Sequence, residues 1–320
     1  MSTYYGTKGQ KVQGIASDPS VVQQGQVWYN TTTSALKVFK NFTDAWITGG
    51  NLGIARNYLL GCGTQTAALG FGGNPSPTAT EEYDGTSWTA GGSLTTAVGR
   101  AAGCGTQTAG LGFGGYPPGV TTEEYDGSAW TAGGNMGTAR YALAGAGIQT
   151  AGLAIGGRTI PGGPGLATTA TEEYDGTSWT AGGSLTTARR YLAGAGTQTA
   201  GLGFGGYTAP PSTFYNATEE YNGSTWTAGG NLNTARDRLA GTGTQTAGLA
   251  FGGRPATGAT EKYDGTSWTT TGSLNTARSV LAGAGTQTAG LAFGGSPSPT
   301  GQTEEFNGGT VTIAATVTQS

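Results

Sequence analysis

The chain has 320 residues; 63 are glycine, 10% are charged, none is histidine, and the formal net charge is −3. Without histidine, an imidazole general base, a Ser-His-Asp triad and an imidazole-ligated zinc site cannot be built from this chain. A slightly acidic protein also lacks the basic surface that phosphate binding demands, so nucleic acid is not expected as a partner.

Residues 1–50 come first and are divergent. GQVWYN, SALKVF and DAWITGG read as the second, third and fourth strands of a degenerate four-stranded sheet. Its first strand would come from Lys11 to Ala16 or from the C-terminal VTIAATV. The opening MSTYYGTKGQ has no apolar signal core, and no run approaches the roughly eighteen apolar residues of a membrane span. Synthesis in a cytoplasm without a cleaved export signal is the expectation.

From there the chain repeats itself. Tryptophans fall at 46, 88, 130, 179, 226 and 268, and Val311 takes the next equivalent place. The unit reads ARDRLAGTGTQTAGLAFGG, a loop of variable length, then ATEKYDGTSWTTTGSLNTAR. Four short strands, A to D, fit each unit. In one register strand A is Tyr191 to Gly196, strand B Ala200 to Gly206, strand C Thr171 to Asp175 of the preceding unit, and strand D begins at the tryptophan. Strand A is small-residue rich (LAGAG), as suits strands crowded together. All eleven glutamates occupy the strand C slot, such as Glu81-Glu82 and Glu304-Glu305. Placement by repeat points to structure, with the repeated arginines as partners.

These features resemble a kelch repeat. The double glycine recurs at Gly72-Gly73, Gly114-Gly115, Gly156-Gly157, Gly205-Gly206, Gly252-Gly253 and Gly294-Gly295. Tyrosine follows at 83, 125, 174, 221 and 263, with Phe306 last, and tryptophan five residues later. Arginine recurs at 56, 140, 189, 236 and 278; Val98 breaks the series, with Arg100 two places off. The resemblance implies an all-β propeller of four-stranded blades, as in galactose oxidase-type proteins. Seven blades are favoured, with 1–50 as the divergent one and 51–320 as six regular repeats; six blades plus an N-terminal hairpin is the alternative. Galactose oxidase chemistry is not carried over, since it needs histidine ligands.

A second resemblance lies in the N-terminal segment. Gly25-Gln26-Val27-Trp28-Tyr29-Asn30 and Leu36-Lys37-Val38-Phe39 are similar to a segment of tailed-phage structural proteins, and STYYGTKGQKVQ with the GTQTAGLGFGG copies resembles virion-associated proteins of marine phages. Gln26 replaces the usual acid of that pattern. The resemblance implies a virion component, with 1–50 docking onto other virion proteins.

Candidate sites are few. YDGTSW resembles the Asp-box turn of sialidases, but Asp84 is one residue too near Trp88. Cys62 and Cys104 hold one position of neighbouring units and read as small packing residues, not a disulfide. The Asp-Gly turns at 84, 126, 175 and 264 read as β-turns ahead of calcium ligands. No catalytic residue, metal site or cofactor is expected. The loops between strands B and C vary most, from seven residues to fourteen at Arg158–Thr171 and twelve at Tyr207–Thr218. They should share one face with the D-to-A links. Tyr116, Arg158, Tyr207, Phe214, Tyr215 and Arg254 on them could form a surface for a host-cell glycan. A non-enzymatic phage structural or attachment protein is the expectation; a kelch-type lectin without a particle is the alternative.

Overall fold

The computed structural model describes residues 4–5, 11–17, 27–32, 34–40, 44–116, 119–159, 166–308 and 311–315. The described residues are all-β, with no helix. The chain divides into two compact units, 1–45 with 307–320, and 46–306.

In the larger unit, the 42- to 49-residue spacing becomes four-stranded antiparallel sheets that follow one another along the chain. Sheet 1 is Leu60–Thr64, Ala67–Phe71, Thr80–Tyr83 and Trp88–Ala90. Sheet 2 is Ala102–Gly105, Gly110–Phe113, Thr122–Tyr125 and Trp130–Ala132. Sheet 3 is Ala144–Ile148, Ala151–Ile155, Thr171–Tyr174 and Trp179–Ala181. Sheet 4 is Ala193–Gly196, Gly201–Phe204, Thr218–Tyr221 and Trp226–Ala228. Sheet 5 is Ala240–Thr244, Ala247–Phe251, Thr260–Tyr263 and Trp268–Thr271. Sheet 6 takes Ala282–Gly285, Ala289–Phe293 and Thr303–Asn307, and its fourth strand is Ala45–Thr48.

The core lies between sheets. Leu60, Leu69 and Phe71 of sheet 1 pack with Leu94, Val98, Tyr125 and Trp130 on the sheet 2 side. Leu59, Tyr83 and Trp88 of sheet 1 pack with Leu291 and Phe293 of sheet 6. Each such side chain contributes ~1.5–3 kcal/mol when fully buried, so no sheet could shelter its apolar faces alone.

Polar bonds repeat the same succession. The strand D tryptophan donates its indole N–H to the strand C threonine of the preceding sheet: Trp130 to Thr80, Trp179 to Thr122, Trp226 to Thr171 and Trp268 to Thr218, at 2.9–3.0 Å. Trp46 donates to Thr260 and Trp88 to Thr303, so sheet 6 joins sheet 5 and sheet 1 joins sheet 6. The A–B turn glutamine does likewise: Gln107 donates to the carbonyls of Ala68 and Tyr83, and Gln65 to those of Gly290 and Phe306.

The smaller unit differs from the degenerate sheet expected of residues 1–50. Its strand order is Tyr4–Tyr5, Lys11–Ile15, Val27–Asn30, Ala35–Lys40 and Val311–Ala315. VWYN and ALKVFK do form a hairpin. Lys11–Ile15 pairs with Val27–Asn30 in parallel, unlike any pair in the repeat. DAWITGG is not its fourth strand. Trp46 carries the repeat's tryptophan chemistry, its ring tilted against Phe251 at 4.9 Å and Phe306 at 5.1 Å, and so belongs to sheet 6. VTIAATV is neither the missing first strand nor the bearer of the next tryptophan position: it pairs antiparallel with Ala35–Lys40, and Trp46 already fills the place given to Val311.

Candidate functional site

The repeated side chains are spent on structure. Five link arginines are buried and bind glutamate: Arg56–Glu81, Arg140–Glu172, Arg189–Glu219, Arg236–Glu261 and Arg278–Glu304, at 2.8–3.0 Å. Each also donates to two carbonyls, as Arg56 does to Gly72 and Ala79 at 2.9 and 2.8 Å. Burial lowers the pKa of these guanidiniums while the paired glutamate holds it up. The second glutamate of the strand accepts the next sheet's tyrosine hydroxyl, as Glu82 does from Tyr125 and Glu124 from Tyr174, both at 2.5 Å. At the last interface this pair changes on both sides at once. Phe306 has no hydroxyl, and opposite it Lys262 stands where the other sheets have glutamate, its ammonium 5.3 Å from the ring centroid.

The Asp-Gly turns are also structural. One oxygen of Asp84 accepts the Thr86 hydroxyl and the amides of Ser87 and Thr86, all at 2.7 Å, and these bonds hold its carboxyl well below the usual range. No group of three or more metal-ligating side chains occurs among the described residues. Cys62 and Cys104 are free and buried; Cys62 Sγ lies 3.5 Å from the Thr106 carbonyl.

What remains collects at one end of the strands. Each D-to-A link pairs with the residue after the double glycine of the same sheet: Asn57 with Asn74, Gly99 with Tyr116, Arg190 with Tyr207, Asp237 with Arg254 and Ser279 with Ser296 by one bridge each, and Tyr141 with Arg158 in a two-residue ladder. The ten arginines split evenly. Five are the buried framework set; Arg100, Arg158, Arg190, Arg238 and Arg254 all lie in links or directly after a double glycine. Asp237 is the only acid in those links and loops. The opposite, turn-bearing end carries Asp84, Asp126, Asp175 and Asp264 and neither lysine nor arginine.

Two clusters form there. Tyr207 opens a small hairpin with Phe214, their rings 5.4 Å apart. Arg254 lies over both rings, 5.3 and 5.1 Å from the centroids, and Arg190 lies 5.1 Å over Tyr207. Arg254 is held by a two-pronged bond to Asp237 at 2.9 and 2.8 Å. Burial raises the Asp237 carboxyl pKa, with Arg254, Arg238 and Arg190 pulling the other way. In the second cluster Tyr116 stacks 5.5 Å from Tyr141, and Arg158 lies 5.4 Å over that same ring. Tyr116 and Phe214 are exposed, at 53% and 39%. Of the six expected surface residues, the structure groups Tyr207 with Phe214 and Arg254, and Tyr116 with Arg158. Tyr215 is half-buried and takes part through its main chain, its amide donating to Gly206 and its carbonyl accepting from Arg236.

Sequence reasoning missed a third group. Two residues after the framework arginine position, the chain carries Tyr58, Arg100, Ala142, Tyr191, Arg238 and Val280. They line an opening of about 130 Å³ over a floor that includes Leu59, Leu143 and Leu192. Arg100 is therefore not a displaced framework arginine. The signal was present: these positions vary in a unit that is otherwise nearly copied. No protein-family model matches the chain, and no curated protein is significantly similar to it.

Proposed function

We propose that this chain is a non-enzymatic recognition and assembly protein, a kelch-type propeller of six four-stranded blades closed around one axis. The closure is supported by the tryptophan and glutamine bonds, which run from each sheet to its predecessor and from the first sheet to the sixth. Supplying the fourth strand of sheet 6 from Ala45–Thr48 would fasten the two ends of the repeat. The resemblance of residues 25–39 to phage structural proteins supports placing the protein in a virion, with the N-terminal segment toward other virion proteins and the link-and-loop end toward a host envelope.

One observation carries the recognition reading. The framework arginines, glutamates, tyrosines, tryptophans and glutamines are consumed between and within sheets, whereas the side chains that differ from copy to copy gather at one end with five arginines. A rigid scaffold with variable residues at one end is suited to display. Mass spectrometry of purified particles tests the virion placement; absence from particles ends it. The second reading, a kelch-type lectin acting without a particle, rests on the aromatic and arginine clusters. It gains if a glycan array shows binding that Tyr207→Ala abolishes while particles lack the protein.

A further inference from the structure

The opening among the six links is built at a conformational cost. Tyr58, Arg100, Ala142, Tyr191, Arg238 and Val280 all have left-handed backbones, with φ between 50° and 59°. Among the described residues of 46–306, every other recurring left-handed position is glycine. A β-branched valine in that region is a genuine outlier, and such residues cost of order 1–3 kcal/mol each. Glycine would relieve the strain, yet all six copies keep a side chain. The backbone is held by a cycle of hydrogen bonds: Tyr58 N to Val280 O, Val280 to Arg238, Arg238 to Tyr191, Tyr191 to Ala142, Ala142 to Arg100, and Arg100 to Tyr58, at 2.6–3.3 Å.

The chemistry within that ring is cationic and aromatic. The Arg100 guanidinium carbon lies 4.7 Å over the Tyr58 ring; Arg238 lies 4.8 Å over Tyr191 and 5.9 Å over Tyr58. Arg238 comes no closer than 3.8 Å to an Asp237 oxygen. Among the described residues no ion pair holds Arg100. A guanidinium over an aromatic face whose N–H groups are not taken by a close carboxylate can fork onto one from a ligand.

We infer that the opening binds one terminal carboxylate-bearing sugar residue, with Arg100 and Arg238 on the carboxylate and the Tyr58 and Tyr191 hydroxyls among the sugar's hydrogen-bond partners. The volume is below the ~300–1,000 Å³ of drug-sized pockets, so a single terminal group fits it best. An extended acidic peptide is disfavoured because it would rely on main-chain partners, and the cycle consumes the six link amides. The inference rests on the link-and-loop end being the recognition face.

The test is calorimetric titration of the full chain with glucuronic acid and an N-acetylneuraminic acid glycoside, with glucose, glucose 6-phosphate and triglutamate as controls. At least one acidic sugar should bind, weakening with salt, while glucose does not. Arg100→Gln with Arg238→Gln should weaken binding at least about tenfold, the loss of one charge-assisted hydrogen bond, with the circular dichroism of the native fold kept, since neither arginine belongs to a framework ion pair. Val280→Arg should tighten it. No binding of either acidic sugar, unchanged binding by the double variant, or equal or tighter binding of triglutamate or the phosphate sugar would overturn the inference. A glycan array separates the two levels. Binding lost in Tyr207→Ala but untouched by the double variant sinks the opening and leaves the recognition face standing. Acidic-sugar binding that survives both sets of substitutions sinks both.

Discussion

The missing framework arginine offers the sharpest test of the reasoning. In sheets 1, 3, 4, 5 and 6 one guanidinium satisfies a buried glutamate and two carbonyls, as Arg236 does for Glu261, Gly252 and Ala259. In sheet 2 Val98 stands in that place. The corresponding acceptors are Gly114, Thr121 and Glu123, and they line a small void of about 10 Å³ beside Val98. Glu123 is already buried, and it is served by the Thr95 amide and hydroxyl at 2.7 and 2.8 Å and the Thr96 amide at 2.8 Å. Val98→Arg therefore adds a cation without newly desolvating the carboxylate. Bonds to a charged group contribute ~1.5–3 kcal/mol each. Against them stand several kcal/mol for burying the guanidinium and up to ~2 kcal/mol of side-chain entropy. The net expectation is a gain of ~1–2 kcal/mol, a rise in Tm of about 2–4 °C for a unit this size. The reverse change is not symmetric. Arg236→Val strands Glu261 with the Asn233 amide as its remaining observed donor, and breaking a buried pair costs ~3–5 kcal/mol. Thermal and urea unfolding followed by tryptophan fluorescence read both. A lower Tm for Val98→Arg, or a loss under ~1 kcal/mol for Arg236→Val, would refute the account of the framework.

Three further outcomes follow from the same contacts. Lys262→Glu with Phe306→Tyr should recreate the hydroxyl–carboxylate bond of the other interfaces; the double variant should be more stable than the sum of the singles by about 1 kcal/mol, the margin of a charged hydrogen bond over a cation–π contact, and additivity in a double-mutant cycle would contradict it. Tyr83, Tyr125, Tyr174 and Tyr263 are pushed up to about 12 by burial and by donation to glutamate. Their contribution to stability is intact below the ordinary tyrosine pKa near 10 and is lost as pH rises through about 12. A tyrosinate absorbance titration should show a late class that ionises with unfolding; ionisation of all tyrosines near the ordinary value while circular dichroism stays native would disprove it. Burial pushes the Cys62 thiol up to about 12 and raises Cys104 as well, so a thiol reagent in mildly alkaline buffer should leave both untouched until denaturant is added; prompt labelling of the native protein would contradict their packing role.

The repeat was legible because it is local. Tryptophan spacing, the double glycine and the strand C glutamates each report a position within one unit. The pairing of arginine with glutamate could be anticipated for the same reason, since both recur once per unit. Strand pairing across the whole chain could not. DAWITGG follows a hairpin in sequence, yet its tryptophan finds Thr260 and Phe306 more than two hundred residues away, and only packing selects that partner over the neighbouring strand. VTIAATV had two eligible edges, and its sequence favoured neither. The opening escaped notice because loop length drew attention outward, whereas six link residues, scattered along the chain, are brought together only by the successive stacking of sheets. Sequence determined what each unit is made of. Tertiary structure decided which units meet, because burial and hydrogen bonding act between residues that the chain itself keeps far apart.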